Sequence, residues 1–413
     1  MTSTQPKLPI PPSLQGNVEG SWTHHSIAVR LRDIARRVLD ENDFSVAINK
    51  RIQTLIEEIP HGTIRGLNST SAPDAMEWEQ YIAPYVGQTW LDVPWFFVET
   101  YFYRRVLEAT GYFQLGEGYG IDPYAYQKQL ALEMMQRDIE AVATHLHDAL
   151  NDRMDQNQML IRFLTMGLWG NKADLSLWPA DEEGEMDNLT DTESREARVL
   201  VNDAPAVAEY LAGLAGHPVR VDFILDNAGF ELICDLVLAD FLLTRGIAQQ
   251  VNLHLKLHPT FVSDSMIKDI EHTILFLAKS DHPDAQAFAS RLRKHLKHAN
   301  LLLRTHPYWT SSLPFWQQPP VVRHTLSRAD LLISKGDANY RRLLGDSHWP
   351  FTTPFADVLA YTPAPLVALR TQKSEIAVGL QPHQPSFAAK QDPNWLINGE
   401  WGVIQFIKGD FRF

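Results

Sequence analysis

The chain has 413 residues, 45% of them hydrophobic and 21% charged, which is typical of a globular protein with two or more cores. Its formal net charge of −13 at pH 7 disfavours nonspecific binding to the phosphate backbone of a nucleic acid. No apolar run of about 18 residues predicts a membrane span, and the single cysteine, Cys234, cannot form an intrachain disulfide. We therefore expect a soluble cytoplasmic protein, with nuclear entry left open, and neither nucleic acid nor a membrane as partner.

Apolar residues at helical spacing predict a mostly helical region over residues 1–180. Pro94 predicts the start of one of these helices, because proline is favoured in the first helical turn. An acidic stretch with few residues able to anchor a core then predicts a linker over residues 181–194. The predicted helices are His25–Leu39, Val93–Thr110, Tyr124–Leu150 and Gln156–Gly167.

From residue 195 to 413 the pattern changes to strands that alternate with helices. This alternation predicts a largely parallel α/β sheet. The predicted strands are Val219–Leu225, Gln250–Leu257, Ala329–Ser334 and Leu366–Leu369. The predicted helices are Glu196–Gly213, Phe230–Leu243, Met266–Lys279 and Pro283–His298.

Polar residues follow each predicted strand. Asp226 and Asn227 follow the first strand, and Asp264 lies beyond the second. Because ligands bind at the carboxyl ends of strands in an open parallel sheet, we expect these side chains to converge on one site. Their oxygens suit a hard cation, although each acid taken alone is better explained as the N-cap of a helix.

Two cationic segments follow the last two predicted strands. Lys335 to Arg341 combines cations, an acid, an amide and a phenol in a turn that Gly336 permits, which suits a phosphate and sugar hydroxyls. Arg370 and Lys373 add two positive charges, which bind phosphate oxygens strongly. In the helical half, Glu99 is a candidate for closing over a ligand. A solvated surface is the alternative explanation of each charge taken alone.

Together these motifs resemble the damage-control phosphatase family, formerly the domain of unknown function 89 group. The Arg-Thr-x-Lys signature is similar to that of its sugar-phosphate phosphatase branch, which includes acidic residue methyltransferase. The likeness covers residues 95–381, and its motifs are LDNAGFE (225–231), Ser263-Asp264, KGDANYR (335–341), RTQK (370–373) and WGNKAD (169–174).

The resemblance implies an α/β fold, with a three-layer α/β/α catalytic domain over residues 195–413 and a helical N-terminal region. It also implies a divalent metal, Mn²⁺ or Mg²⁺ with Co²⁺ or Ni²⁺ as substitutes, held by Asp226, Asn227 and Asp264. The positions that match the substrate site are Asp337, Asn339, Tyr340, Arg341 and Lys373, with Asn171 and Asp174 in a motif near the site. With Asn227, Arg370 and Glu99, these are the predicted substrate-binding residues.

The predicted reaction is hydrolysis of a small phosphorylated metabolite. The resemblance implies fructose 1-phosphate or fructose 6-phosphate as substrates, and a role in metabolite damage control. The predicted catalytic residues are Asp226, Asp264, Asp337 and Lys373: the metal polarises the phosphoryl group, Lys373 offsets its charge, and Asp337 orients or deprotonates water. Direct attack by water and a transient aspartyl-phosphate both fit, and we prefer water because two carboxylates are already assigned to the metal.

Two other functions are alternatives. The family also carries a claim of S-adenosylmethionine-dependent methylation of protein glutamates, but the common α/β methyltransferases place a glycine-rich loop after the first strand, where only Gly229 stands here. A noncatalytic sugar-phosphate sensor would need the binding residues without the metal ligands, so the complete ligand set favours an enzyme. The oligomeric state, the physiological substrate and the preferred metal are left open by the sequence.

Overall fold

The structure, a computed structural model, describes residues 5–68, 72–151, 155–170 and 197–409. The predicted linker at 181–194 and the candidate residues Asn171 and Asp174 lie outside the described residues. The first region is helical, as predicted. Its helices are α1 (Trp22–His25), α2 (Leu31–Glu41), α3 (Val46–Glu58), α4 (Ala75–Ile82), α5 (Trp95–Thr110), α6 (Ala125–Met134), α7 (Gln136–Asn151) and α8 (Gln156–Trp169).

Two predicted helices are less regular than their periodicity indicates. α1 continues through a π-helical turn, Ser26–Arg30, directly into α2, so one continuous helical segment runs from Trp22 to Glu41. We call this segment the N-terminal helix. The predicted helix Tyr124–Leu150 is divided at Met135 into α6 and α7.

The second region contains a seven-stranded sheet and the helices that cover it. The strands are β1 (Val199–Asn202), β2 (Arg220–Ile224), β3 (Gln250–Leu255), β4 (Leu301–Thr305), β5 (Leu331–Lys335), β6 (Leu366–Thr371) and β7 (Gly402–Ile407). The helices are α9 (Ala204–Ala212), α10 (Phe230–Thr244), α11 (Ile267–Lys279), α12 (Pro283–Lys297), α13 (Pro320–Leu326), α14 (Gly336–Leu344), α15 (Phe355–Val358) and α16 (Gln384–Gln391).

The strand order is β1-β7-β6-β5-β2-β3-β4, and all neighbouring strands are parallel except β6 and β7. Successive side chains of a strand point to opposite faces. Accordingly, Val221 and Phe223 belong to a core formed with α7, α8 and α10, whereas Ile224 belongs to a second core formed with α5 and α14. Helices therefore cover both faces, which confirms the predicted α/β fold with its α/β/α layers and largely parallel sheet.

The predicted helix Glu196–Gly213 is wrong in its first part. Val199–Asn202 forms β1, which pairs with β7, and the helix begins only at Ala204. The β-branched side chains of Val199 and Val201 favour a strand, and Pro205 is tolerated only in the first turn of the helix that follows. The strands β4 and β7 were not predicted.

The helical region and the sheet share their cores. α7 and α8 complete the core on one face, and the N-terminal helix, α3 and α5 contribute to the core on the other. The helical region and the sheet therefore pack against each other. The linker at residues 181–194, which would divide them, stays a prediction. Among the described helices, none combines the length and the apolar character that crossing a bilayer requires.

Candidate active site

The strand order reverses between β2 and β5. From β2 the chain continues through β3 to β4 at one edge, and from β5 it continues through β6 in the other direction. Ligands bind at such a switch point, outside the carboxyl ends of the strands. Asp226 lies just beyond β2 and Gly336 directly follows β5, so both lie at this crevice.

A close contact joins the two sides of the crevice. Gly336 has a φ of +79°, and a Cβ placed on it would lie 1.8 Å from Oδ2 of Asp226. Both the left-handed backbone and this contact disfavour any side chain. Glycine at this position therefore lets the turn approach the Asp226 carboxylate, in agreement with the tight turn predicted there.

Asp226 and Asp264 bring two buried carboxylates to the site. They are 6% and 1% exposed. Their loops are joined by hydrogen bonds from the Ser265 N–H to the Asp226 carbonyl, 2.7 Å, and from the Ala228 N–H to the Ser263 carbonyl, 2.6 Å. Asp226 Oδ1 has no hydrogen-bond partner among the described residues, and Asp264 Oδ2 is paired there with Lys256 Nζ at 3.2 Å. A buried carboxylate oxygen without a hydrogen-bond partner is expected where a cation binds.

The two acids are electrostatically destabilised. Burial, followed by the charges of Asp264 and Glu231, raises the pKa of Asp226 well above its ordinary value. Burial also raises the pKa of Asp264, although the Nζ of Lys256 lies 3.2 Å from its Oδ2 and opposes the rise. A bound cation would offset the free-energy cost of burying these negative charges, as protonation of the acids does.

Asn227 links these acids to a neighbouring glutamate. Its amide nitrogen donates to Asp226 Oδ2 at 3.1 Å and to Glu231 Oε2 at 2.8 Å, and its oxygen accepts from the Ser263 hydroxyl at 2.5 Å. For the amide oxygen to serve as a metal ligand, the amide must turn over. A hydroxyl both donates and accepts, so Ser263 can hold the amide in either orientation.

A buried ionic cluster stands behind Asn227. The Nζ of Lys335, which is 1% exposed, lies 3.2 Å from Glu231 Oε1 and 2.7 Å from Asp235 Oδ1. Burial raises the pKa of Asp235 to about 7 against the charge of Lys335. The cluster fixes Glu231 and thereby the amide of Asn227.

Asp337 shapes the loop after β6. Its Oδ1 accepts from Arg370 Nε at 2.8 Å, the Ser374 hydroxyl at 2.9 Å and the Lys373 N–H at 3.3 Å. Burial favours the neutral acid, but the charges of Arg370 and Arg341 prevail and lower the pKa of Asp337. Asp337 is therefore held as a carboxylate that positions this loop.

Lys373 differs from Arg370 in having its charge available. The guanidinium of Arg370 is fully buried, bonds to Asp337 and to the Ile376 carbonyl, 2.6 Å, and lies 4.3 Å from the ring centre of Tyr340. Lys373 is partly exposed, and its ammonium forms no hydrogen bond or ion pair among the described residues, although its charge lowers the pKa of Asp226 against the effect of burial. Lys373 is thus the cation of this segment that can contact a ligand.

The predicted substrate residues Asn339 and Tyr340 are engaged in the interior. The Asn339 amide donates to the carbonyls of Lys335, 2.9 Å, and Leu225, 3.0 Å, and accepts from Lys256 Nζ at 3.3 Å, so it ties the ends of β2 and β5 together. Tyr340 donates to Gln405 Oε1 at 2.8 Å. Contact of these two side chains with a substrate stays a prediction.

Arg341 and Glu99 form a second buried ionic cluster. Arg341 makes a bidentate contact with Asp346, 2.7 and 3.0 Å, and also pairs with Glu99. Glu99 is 0% exposed and pairs in addition with Arg30 of the N-terminal helix. The cluster joins α5, α14 and the N-terminal helix, and a ligand contact by Glu99 or Arg341 stays a prediction.

The N-terminal helix lies across the site. The Glu375 carboxylate accepts from the N–H groups of Trp22 and Thr23, both at 3.3 Å, and the indole of Trp22 donates to the Lys373 carbonyl at 3.2 Å. One end of the helix is therefore anchored beside Lys373, and its middle is anchored to α5 through Arg30.

Three site residues were given no individual role from the sequence: Lys256, and Glu231 and Lys335, which lie within the motifs 225–231 and 335–341. Two of them carried a signal of their own. Lys256 is a lysine within an apolar run that predicts a strand, and Glu231 stands four residues after Asn227, the spacing that brings side chains together at a helix start. Among the described residues no group of three or more His, Cys, Asp or Glu side chains is arranged to hold a metal, and the ligand set of Asp226, Asn227 and Asp264 stays a prediction.

The sequence matches the family described as Damage-control phosphatase ARMT1-like domain over residues 26–386. Damage-control phosphatase ARMT1 of Danio rerio is 32% identical over 438 residues, covering 96% of this chain and 97% of that protein. The Rattus norvegicus protein of the same name is 36% identical over 331 residues, covering 77% and 75%. A crystal structure of a DUF89 family protein from Pyrococcus horikoshii, 12% identical, covers 93% of this chain and 98% of that chain with a TM-score of 0.47. The family match over most of the chain and the identity to these curated relatives confirm the resemblance: this chain belongs to the ARMT1-like damage-control phosphatase family.

Proposed function

We propose that this chain is a metal-dependent phosphatase that hydrolyses small sugar phosphates, such as fructose 1-phosphate or fructose 6-phosphate, in metabolite damage control. The observation that carries the proposal is the buried carboxylate pair Asp226 and Asp264 at the switch point of the sheet, in which Asp226 Oδ1 has no hydrogen-bond partner among the described residues. Membership of a family named for damage-control phosphatases supports the reaction class.

The donor set fits a hard divalent cation. Asp226, Asp264 and the amide of Asn227 present oxygen donors, which suit Mg²⁺ or Mn²⁺, with Co²⁺ or Ni²⁺ as substitutes. When bound, such an ion supplies polarisation of a phosphoryl oxygen and a more acidic water. The cost of burying two carboxylates together is the reason to expect that the site binds an ion tightly.

The chain's own residues have distinct tasks in this proposal. Lys373 binds the phosphate and offsets its negative charge. Asp337, whose pKa is lowered, is a weak base, so we assign it the positioning of the Lys373 loop in place of proton abstraction. Direct attack by water remains our preferred route.

Phosphate release from a panel of sugar phosphates tests the proposal. We expect activity with Mn²⁺ or Mg²⁺, none after chelation, and none in Asp226→Asn or Asp264→Asn. Asp33→Asn, which changes an exposed aspartate with 56% of its side chain accessible, is the matched control. Full activity in exhaustively chelated protein would refute metal dependence.

Thermal unfolding provides a readout that does not depend on turnover. Without metal, Asp226→Asn should melt at a higher temperature than the unmodified protein, because the variant no longer buries two repelling acids. Added Mn²⁺ should raise the melting temperature of the unmodified protein but not that of the variant. The opposite order without metal would show that Asp226 is a structural residue.

A further inference from the structure

A cavity of about 390 Å³ lies between the N-terminal helix and the loop that carries Asp264. Arg30 and Arg37 line it from the N-terminal helix, and Ser263 lines it from the loop. Because the Ser263 hydroxyl bonds to Asn227 at 2.5 Å, the cavity adjoins the proposed metal site. Its volume is within the range of about 300–1,000 Å³ that small-molecule sites occupy. We call it the Arg37 cavity.

The charged residues that line this cavity are all cations: Arg30, Arg37 and Lys128. Lys128 is committed to Asp122, 3.2 Å, and Asp269, 3.0 Å, and Arg30 is committed to Glu99. Arg37 has neither an ion pair nor a hydrogen bond within the described part of the chain. Its positive charge is therefore available to an anionic ligand.

A buried phenol provides a second polar group. Tyr103 lines the Arg37 cavity, is 1% exposed, and has no hydrogen-bond partner for its hydroxyl among the residues that the structure describes. Burial raises the pKa of this hydroxyl; the charge of Arg30 opposes the rise, the charges of Glu99 and Asp264 add to it, and the charge of Arg37 opposes it. The hydroxyl oxygen is not one of the fully buried atoms and faces the cavity, so it can donate to a ligand there.

The wall of the cavity has an unusual backbone. Phe261 and Val262 have φ values of +47° and +66°. Left-handed backbone is disfavoured for a β-branched residue, and such conformations concentrate at ligand clamps. Here the two residues turn the loop so that Ser263 and Asp264 reach the site.

We propose that the Arg37 cavity is a second anion subsite, where Arg37 and Tyr103 bind an additional phosphate or carboxylate of the substrate. The phosphate to be hydrolysed would lie at Asp226 and Lys373. This inference rests on the proposed function and adds to it: besides the sugar monophosphates, the site accepts small phosphorylated metabolites whose second anionic group binds in the Arg37 cavity. A guanidinium and a phenol both donate to anionic oxygens, and charge-assisted bonds of this kind are the strong ones.

Matched substrates and matched variants test the subsite. Fructose 1,6-bisphosphate and fructose 6-phosphate are both furanoses and differ in the second phosphate alone. Arg37→Gln removes the free cation, and Arg36→Gln removes an equal charge from the neighbouring residue, which is 48% exposed, is paired with Asp33 and does not line the cavity. We expect Arg37→Gln to lower kcat/KM for the bisphosphate about tenfold or more relative to Arg36→Gln, with the monophosphate unchanged.

Equal losses on both substrates, or no loss on either, would overturn the subsite. Calorimetric titration with fructose 1,6-bisphosphate in the presence of a chelator separates this result from failure of the proposed function. If no sugar phosphate is hydrolysed but Arg37→Gln still weakens bisphosphate binding about tenfold, the hydrolase proposal fails and the subsite stands. If hydrolysis is normal and binding is unaffected, the subsite fails and the hydrolase proposal stands.

Discussion

Replacing Gly336 with alanine should abolish activity while leaving a folded protein. The new Cβ would lie 1.8 Å from Asp226 Oδ2, whereas ordinary contacts begin at 3.4 Å, so the carboxylate or the turn must move by about 1.6 Å. A misplacement of about 1 Å at a reacting centre costs roughly 100-fold in rate. The left-handed backbone adds about 1–2 kcal/mol and overpacking about 1–3 kcal/mol to the cost of folding.

Two other glycines separate these effects. Gly246 has a φ of +69°, and no other atom lies within 4 Å of the point that a Cβ would occupy, so Gly246→Ala reports backbone strain alone. Gly345 has a φ of +66° and its Cβ would lie 1.9 Å from Trp316, so Gly345→Ala reports strain plus a clash away from the site. We expect all three variants to melt at lower temperature, and Gly336→Ala alone to lose phosphate release at least about 100-fold. Normal turnover in Gly336→Ala would refute the placement of Asp226 in the reaction.

Three further outcomes are expected. Lys373→Ala should lower kcat/KM in phosphate-release kinetics about 10- to 100-fold, since a charge-assisted contact contributes about 1.5–3 kcal/mol, whereas the exposed Lys390→Ala should not. Glu99→Gln should lower the free energy of unfolding in urea by about 1.5–3 kcal/mol, because buried Arg341 keeps Asp346 but loses its second carboxylate partner; lost activity with unchanged stability would instead make Glu99 a substrate ligand. Asp235 has a folded pKa of about 7 against about 4 unfolded, so wild-type stability should fall relative to Asp235→Asn as pH rises from about 4 to 7 and level off above. A constant difference in urea titrations across that range would contradict the burial of this acid.

The central sheet could be predicted from the sequence because its strands are buried on both faces. β5 and β6 begin as apolar runs, the pattern of parallel strands, whereas β2 and β3 alternate apolar residues with the buried polar residues Asp222, Asn252 and His254. β1 and β7 escaped prediction for a different reason. β7 pairs antiparallel with β6 and parallel with β1, which is the edge strand. β1 is four residues long, too short for the two-residue period of a strand to be distinguished from the period of a helix.

The site was predictable in its position and less so in its details. Asp226, Asp264 and Lys373 meet at the crevice because parallel strands deliver their carboxyl ends to one edge. Periodicity cannot reveal which neighbours satisfy a polar group, so the engagement of Asn339 and Tyr340 in the interior became evident only from the packing of α14. The same holds for Lys256, whose partner Asp264 lies across a loop.

The pairing of β1 with β7 has a consequence for the order of events during synthesis. β1 bonds to no other described strand, and β7 emerges from the ribosome about 200 residues later. At roughly 5–20 residues per second, β1 waits on the order of 10–40 seconds for its partner. Its brevity limits the hazard, because a short unpaired strand is a poor template for other chains. The sheet is therefore completed only when the last strand is made, and translation itself sets the earliest moment at which this edge can close.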